Sequence, residues 1–190
     1  MNAAASAGWI SKTTLTLQAN GYEIYPDTVE QKYIQDRWTM IAYQVTVPTQ
    51  NTPGKLAEVS KILARERINI RAITISSIGE HGFFNILVDD PNLAKKVLTK
   101  EGIQADLAEV IAVILDDKPG SMNNLVQLLS ANTINIENAY GFVLESNKTA
   151  VFVIQVSDLA KAQNLLKEHK FRTMSAEALA TIEPFHYMKY

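Results

Sequence analysis

Two short constellations in this chain have the chemistry to hold a small zwitterion. Pro53-Gly54 opens a helical pattern that closes at Ile68-Asn69-Ile70, and Pro119-Gly120 opens another that closes at Ile134-Asn135-Ile136. A loop that enters a helix through Pro-Gly leaves the backbone N–H groups of Gly54, Lys55 and Leu56 without intrahelical partners. Those donors and the helix dipole suit a carboxylate, an interaction typically worth about 0.3–1 kcal/mol at an exposed terminus. Glycine at this point also lets a ligand approach the backbone closely. Asn69 stands just past the helix, and its carboxamide both donates and accepts. A free amino acid requires both abilities. Each residue has a plainer role open to it as well, because Pro at the first helical position and Asn at a helix end are common structural devices.

Other chemistries find no support. The chain has no cysteine, which excludes disulfides, thiolate zinc sites and a cysteine nucleophile, and fits a cytoplasmic protein. His81, His169 and His186 do not have metal-ligand spacing, so no metal site is expected. Ser76, Ser77 and Ser121 have no nearby base to make a nucleophile, and no cofactor motif is present. Net charge is −2 with no basic run, and the aromatic stacking residues of RNA-binding sheets are missing, so nucleic acid is not an expected partner. The longest apolar run, Val110 to Leu115, is far short of the ~20 residues that span a bilayer. Met1 to Trp9 lacks a basic start and a long apolar stretch, and does not read as a signal peptide.

The elements that would position these residues come as a duplicate. Pro53, Gly54, Ile68 and Asn69 recur at a constant offset of 66, and Leu93-Ala94-Lys95 recurs as Leu159-Ala160-Lys161 at the same offset. A register held through loop, helix and strand marks a repeated unit of about 65–70 residues. In the first copy, alternation over residues 40–47 predicts a strand, and Thr52 is expected to cap a helix that starts at Pro53 and ends at Asn69. Ile70 to Ile78 and Phe83 to Val88 read as strands around a Gly79–Gly82 turn. Asp89-Asp90 caps a second helix from Pro91, and Ile103 to Leu107 reads as a fourth strand. The second copy repeats the order: strand 110–115, helix 119–131, strands 136–144 and 150–156, helix 159–166, strand 171–174. Both copies are β-α-β-β-α-β, a ferredoxin-like arrangement of the α+β class.

Only Ala108-Glu109 joins the copies, which predicts fixed side-by-side packing into one continuous eight-stranded sheet with both Pro-Gly loops near the seam. The expected division is an N-terminal extension over 1–39, a first domain over 40–108, a second over 109–183 and a tail over 184–190. In the extension, Thr13–Leu17 and Tyr22–Tyr25 flank an Asn20-Gly21 turn signal. Trp9, Trp38, Tyr187 and Tyr190 lie outside the repeat and read as packing or oligomer contacts.

The duplicated Pro-Gly, helix and Asn-Ile pattern resembles the ACT domain family, small modules that sense amino acids in metabolic regulation. The resemblance covers residues 40 to about 175, and the ending Lys170-Phe171-Arg172 with Ser175 to Leu179 is similar to tandem ACT proteins without an enzyme domain. It implies a non-enzymatic regulatory protein that binds a small amino acid at an ACT–ACT seam and modulates a metabolic enzyme or regulator; a homodimer is expected because residues 1–39 hold aromatic and β-branched residues that the repeat does not need. It also implies that the residue two before Pro-Gly and the asparagine after the helix touch the ligand, namely Asn51 with Asn69 and Asp117 with Asn135. The implied ligand set is Asn51, Pro53, Gly54, Lys55, Leu56, Asn69 and Ile70 in copy one, and Asp117, Gly120, Ser121, Met122, Asn135 and Ile136 in copy two. Copy two carries Asp116-Asp117-Lys118 where copy one is neutral, so the half-sites are not equivalent; the aspartates alternatively cap the helix. The rival function is a ligand-free module that dimerises or docks on an enzyme.

Overall fold

The computed structural model describes residues 41–182, and the hairpin and aromatic contacts expected in the two ends lie outside them. Strand β1 (Ala42–Gln50) leads to helix α1 (Lys55–Arg65), strands β2 (Ile70–Ile78) and β3 (His81–Val88), and helix α2 (Pro91–Lys100). Strand β4 (Asp106–Asp116) passes into helix α3 (Ser121–Ala131), strands β5 (Ile136–Glu145) and β6 (Thr149–Val156), helix α4 (Leu159–Glu168) and strand β7 (Arg172–Met174). A short helix, α5 (Ala176–Thr181), follows. Both units are βαββαβ, and they form one α+β sheet.

The sheet has seven strands rather than eight. Its order is β2-β3-β1-β4-β6-β5, with β7 also on β4. The fourth strand of the first unit and the first strand of the second are the single strand β4, so Ala108-Glu109 is no junction but the middle of a ladder. Asp106–Val110 pairs with β1, whereas Ile111–Asp116 pairs with β6 and Ala112–Ile114 with β7. One edge of β4 thus carries β1 and β7 in succession, and β6 lies along the other. An eleven-residue strand with six consecutive buried positions, Val110 to Leu115, can do this because both of its faces are covered.

Strand alternation assigns the two faces. Val45, Val47, Phe84 and Ile86 pack beneath α1 and α2, with Val59, Ile62, Leu63, Val97 and Leu98 supplying the helical stripes. Ile111, Val113, Leu115 and Ile154 lie on the same face of the sheet beneath α3 and α4, against Leu125, Leu129 and Leu166. The opposite face buries Ala42, Leu87, Val110, Ala112, Val153 and Met174 against Ala178, Leu179 and Ile182, so α5 closes a third core behind the sheet. Gln44 is fully buried on that face. It receives the Tyr140 hydroxyl proton at 3.1 Å and donates to Gln155 at 3.2 Å, which donates in turn to Glu137 at 3.2 Å. This polar chain ties β1 of the first unit to β5 and β6 of the second.

The offset of 66 holds only as far as β5. The next helix is capped by Asp90 in the first unit, through Leu93 N–H, and by Asp158 in the second, through Lys161 N–H. Leu93 therefore corresponds to Lys161, an offset of 68, and the Leu-Ala-Lys match is not structurally in register. The cause is local: the turn Gly79-Glu80 becomes Ser146-Asn147-Lys148, and β5 carries an irregularity between Val143 and Glu145. A second irregularity is shared. Arg71 is the bulged residue between Ile70 and Ala72, and Glu137 is its counterpart between Ile136 and Asn138.

Candidate functional site

The helix starts differ in detail from the sequence expectation. Gly54 and Gly120, not Thr52 or an aspartate, are the N-caps, with φ 93° and 91° and no side-chain cap. Pro53 and Pro119 sit one residue before the cap, which fixes the chain direction without occupying the first helical turn. Nothing lies within 4 Å of a Cβ built on either glycine. The glycines are thus required by the left-handed backbone, where a side chain is strained, rather than by lack of room. With no side chain capping it, the first turn of α1 presents free N–H groups to the loop. In α3, Ser121 N–H is already donated to Lys118 O at 3.2 Å.

Asn51 and Asp117 lie at matching places, and both are engaged by the neighbouring hairpin turn. Asn51 donates from its backbone to Glu80 O at 2.8 Å and from Nδ2 to Gly79 O at 3.1 Å. Asp117 donates its N–H to Lys148 O, and its Oδ2 accepts Asn147 N–H at 2.7 Å. Neither Asp116 nor Asp117 caps the helix; Asp116 instead pairs with Lys118 at 3.3 Å. Lys55 pairs with Glu58 at 3.1 Å beside an open groove of about 240 Å³, lined by Pro48, Thr49, Glu58, Glu101 and Gln104. Leu56 and Met122 are 37% and 54% exposed and place an apolar contact next to each loop.

Asn69 and Asn135 do not terminate the helices. Helix α1 ends at Arg65, Arg67 turns the chain with φ 59°, and Thr133 does the same after α3 with φ 57°. The asparagines open the next strands. Asn69 N–H is held by Asp89 Oδ1 at 3.0 Å, and Asn135 N–H by Ser157 Oγ at 3.0 Å. Both are exposed, and neither carboxamide is hydrogen-bonded among the described residues, which leaves a donor and an acceptor presented to solvent. Ile70 and Ile136 pack against the two helix-side cores, where they support the strand start.

The two halves of the motif are distributed crosswise. Strand β1 runs antiparallel to β4, from Ala42 opposite Val110 to Thr46 opposite Asp106 at the start of β4, so the Gly54 loop and the Gly120 loop lie at opposite ends of the sheet. Both were expected near one seam; antiparallel pairing of β1 with β4 forbids it. Asn69 opens β2 at the end opposite its own Gly54 loop, a separation of roughly 27 Å along a nine-residue strand. The Gly54 loop shares its end with Asn135, and the Gly120 loop shares its end with Asn69. Sequence reasoning missed Asp89, Ser157 and the bulged Arg71, whose roles depend on strand register. Among the described residues there is no cluster able to hold a metal ion and no helix long and apolar enough to cross a membrane.

A pair of ferredoxin-like units sharing one strand, each with a glycine-capped helix start and a strand-opening asparagine, defines a tandem α+β fold. The family model described as an ACT domain pair matches residues 40–183, and the chain belongs to that family. A protein of known crystal structure from Bacteroides thetaiotaomicron is 31% identical, with 75% of this chain and 98% of that one covered and a TM-score of 0.70. The ligand-free regulatory subunit of aspartate kinase from Thermus thermophilus is 18% identical, with 68% of this chain and 97% of that one covered and a TM-score of 0.49. No curated protein matches the chain.

Proposed function

We propose that this protein is a non-enzymatic regulator that binds a free amino acid at a seam between ACT units and passes its occupancy to a metabolic partner. The observation that carries the reading is the repeated pair of an uncapped helix start at a left-handed glycine and an exposed asparagine with a free carboxamide. A carboxylate seats on the N–H groups of the first turn, and the asparagine supplies an acceptor for the ammonium and a donor for the carboxylate.

The crosswise arrangement directs where the seam lies. Within one chain, β1 and β5 are three strands apart, so Asn135 stands on the order of 14 Å to the side of the Gly54 loop. Among the described residues, the outer strands of the sheet, β2 and β5, each have a strand neighbour on one side alone. When an edge strand of a second copy pairs antiparallel with β2, its opening asparagine arrives at the end of β2, beside the Gly79 turn to which Asn51 is bonded. A two-fold homodimer thereby completes the half-site that one chain leaves open. The exposed Ile73 and Ile75 on β2 are the apolar contact such pairing would bury. Equilibrium titration of the full chain with each proteinogenic amino acid tests the reading, with one or more expected to bind in the micromolar to millimolar range, about −8 to −4 kcal/mol. Binding of none removes it.

One observation favours a second reading, a ligand-free docking module. Asn51 Nδ2 and Asp117 Oδ2 are occupied by the hairpin turns, and Ile78 at the turn is 82% exposed. On this reading the paired edges serve only assembly.

A further inference from the structure

We propose that Arg71 and Asp89 are positioning residues for the Asn69 half-site, and that they connect it to the C-terminal segment Ala176–Ile182. The connection concerns the same site as the amino-acid reading and rests on it for its functional meaning.

Asp89 holds the Asn69 peptide from both sides. Its Oδ1 accepts Asn69 N–H at 3.0 Å, and its own N–H donates to Asn69 O at 3.2 Å. Its other carboxylate oxygen lies 3.7 Å from Arg71 Nη2. Arg71 Nη1 donates to the carbonyl of Ile182 at 2.6 Å. Arg71 is the bulged residue of β2, and its side chain, 13% exposed, reaches the segment behind the sheet. Ile182 is fully buried there with Leu87 and Ala42. One guanidinium therefore spans the carboxylate that sets Asn69 and the carbonyl that seats the tail. Its Nε is buried without a partner, so these two contacts orient it. Charged donors make such bonds stronger than neutral ones, and the planar fork offers the two acceptors separate nitrogens, which the single nitrogen of an ammonium does not.

The second unit lacks this connection. Ser157 takes the place of Asp89, and Glu137 takes the place of Arg71 and accepts from Gln155. Among the described residues, this connection to the segment Ala176–Ile182 is made by the Asn69 half-site and not by the Asn135 half-site. Coupling between two sites is reciprocal: whatever shifts Asn69 loosens or seats the segment Ala176–Ile182, and whatever engages that segment shifts Asn69.

Amide hydrogen exchange on the full chain, without added amino acid, tests the coupling directly. Arg71→Met is expected to speed exchange about tenfold at Asn69 and also at Leu179 and Ile182, while Asn135 stays within about twofold. Arg71→Lys, which keeps charge and length, is expected to reproduce the effect in part and guards against loss of folding in the first variant. Ser157→Ala is expected to speed Asn135 alone. Acceleration at only one end of the Arg71 connection, or equal acceleration at Asn135, overturns the proposal. An equimolar mixture of the twenty amino acids is expected to slow Leu179 and Ile182 in the natural protein and not in Arg71→Met. If the mixture changes nothing while the variants behave as expected, the amino-acid reading fails and the coupling stands.

Discussion

At Gly54 and Gly120 the backbone adopts φ near 90° in open space, and that fixes what substitution there would do. Gly54→Ala is expected to lose about 1–2 kcal/mol to left-handed strain without any clash, measurable by urea denaturation. Asn69→Ala and Asn135→Ala are expected to leave stability nearly unchanged, since both residues are exposed and only their backbones are bonded, but to weaken amino-acid binding by about 1–3 kcal/mol. Unchanged affinity in both variants takes the asparagines out of the site. Tyr140 gives a pH signature. Burial raises its pKa well above the ordinary tyrosine value, so the folded state keeps a proton that the unfolded state releases above about pH 10. Its contribution is whole below pH 10 and is lost as pH rises beyond it. Tyr140→Phe is expected to flatten the fall in stability between about pH 9.5 and 11, followed by chemical denaturation, and an identical slope in both proteins would contradict the assignment.

Element by element, the fold is carried by strands and helices whose buried faces are readable in the chain. Leu129→Ala, at a fully buried position of α3, is expected to cost about 2–5 kcal/mol. Periodicity located α1 through α4 and six of the strands, because each buries one regular face. It divided β4 in two, because a continuous apolar run covered on both faces has no period to mark where one role ends and the next begins. The repeat was legible through Asn135 and lost after β5, where two extra residues at a hairpin shift all later landmarks. The motif at Gly54 and Asn69 was visible as residue types, but its crosswise placement was not, since that follows from β1 running antiparallel to β4. Asp89 shows the same limit. Sequence reads both acidic residues before α2 as caps, yet only Asp90 caps, and Asp89 turns instead to the Asn69 peptide.

For the molecule as a whole, one shared strand makes the two units mechanically inseparable, and the buried chain Tyr140–Gln44–Gln155 ties them behind the sheet. On the proposed homodimer, light scattering is expected to give about twice the chain mass. Binding of a free amino acid is measured by a thermal-shift series with the twenty amino acids on the full chain. At about 100 times the dissociation constant, binding adds ~2.7 kcal/mol, which for a chain of this size raises Tm by roughly 5–10 °C. That rise is expected for one or a few chemically related amino acids, and its loss in Asn69→Ala combined with Asn135→Ala. No shift with any amino acid at tens of millimolar, in a protein that is folded and dimeric, would contradict it.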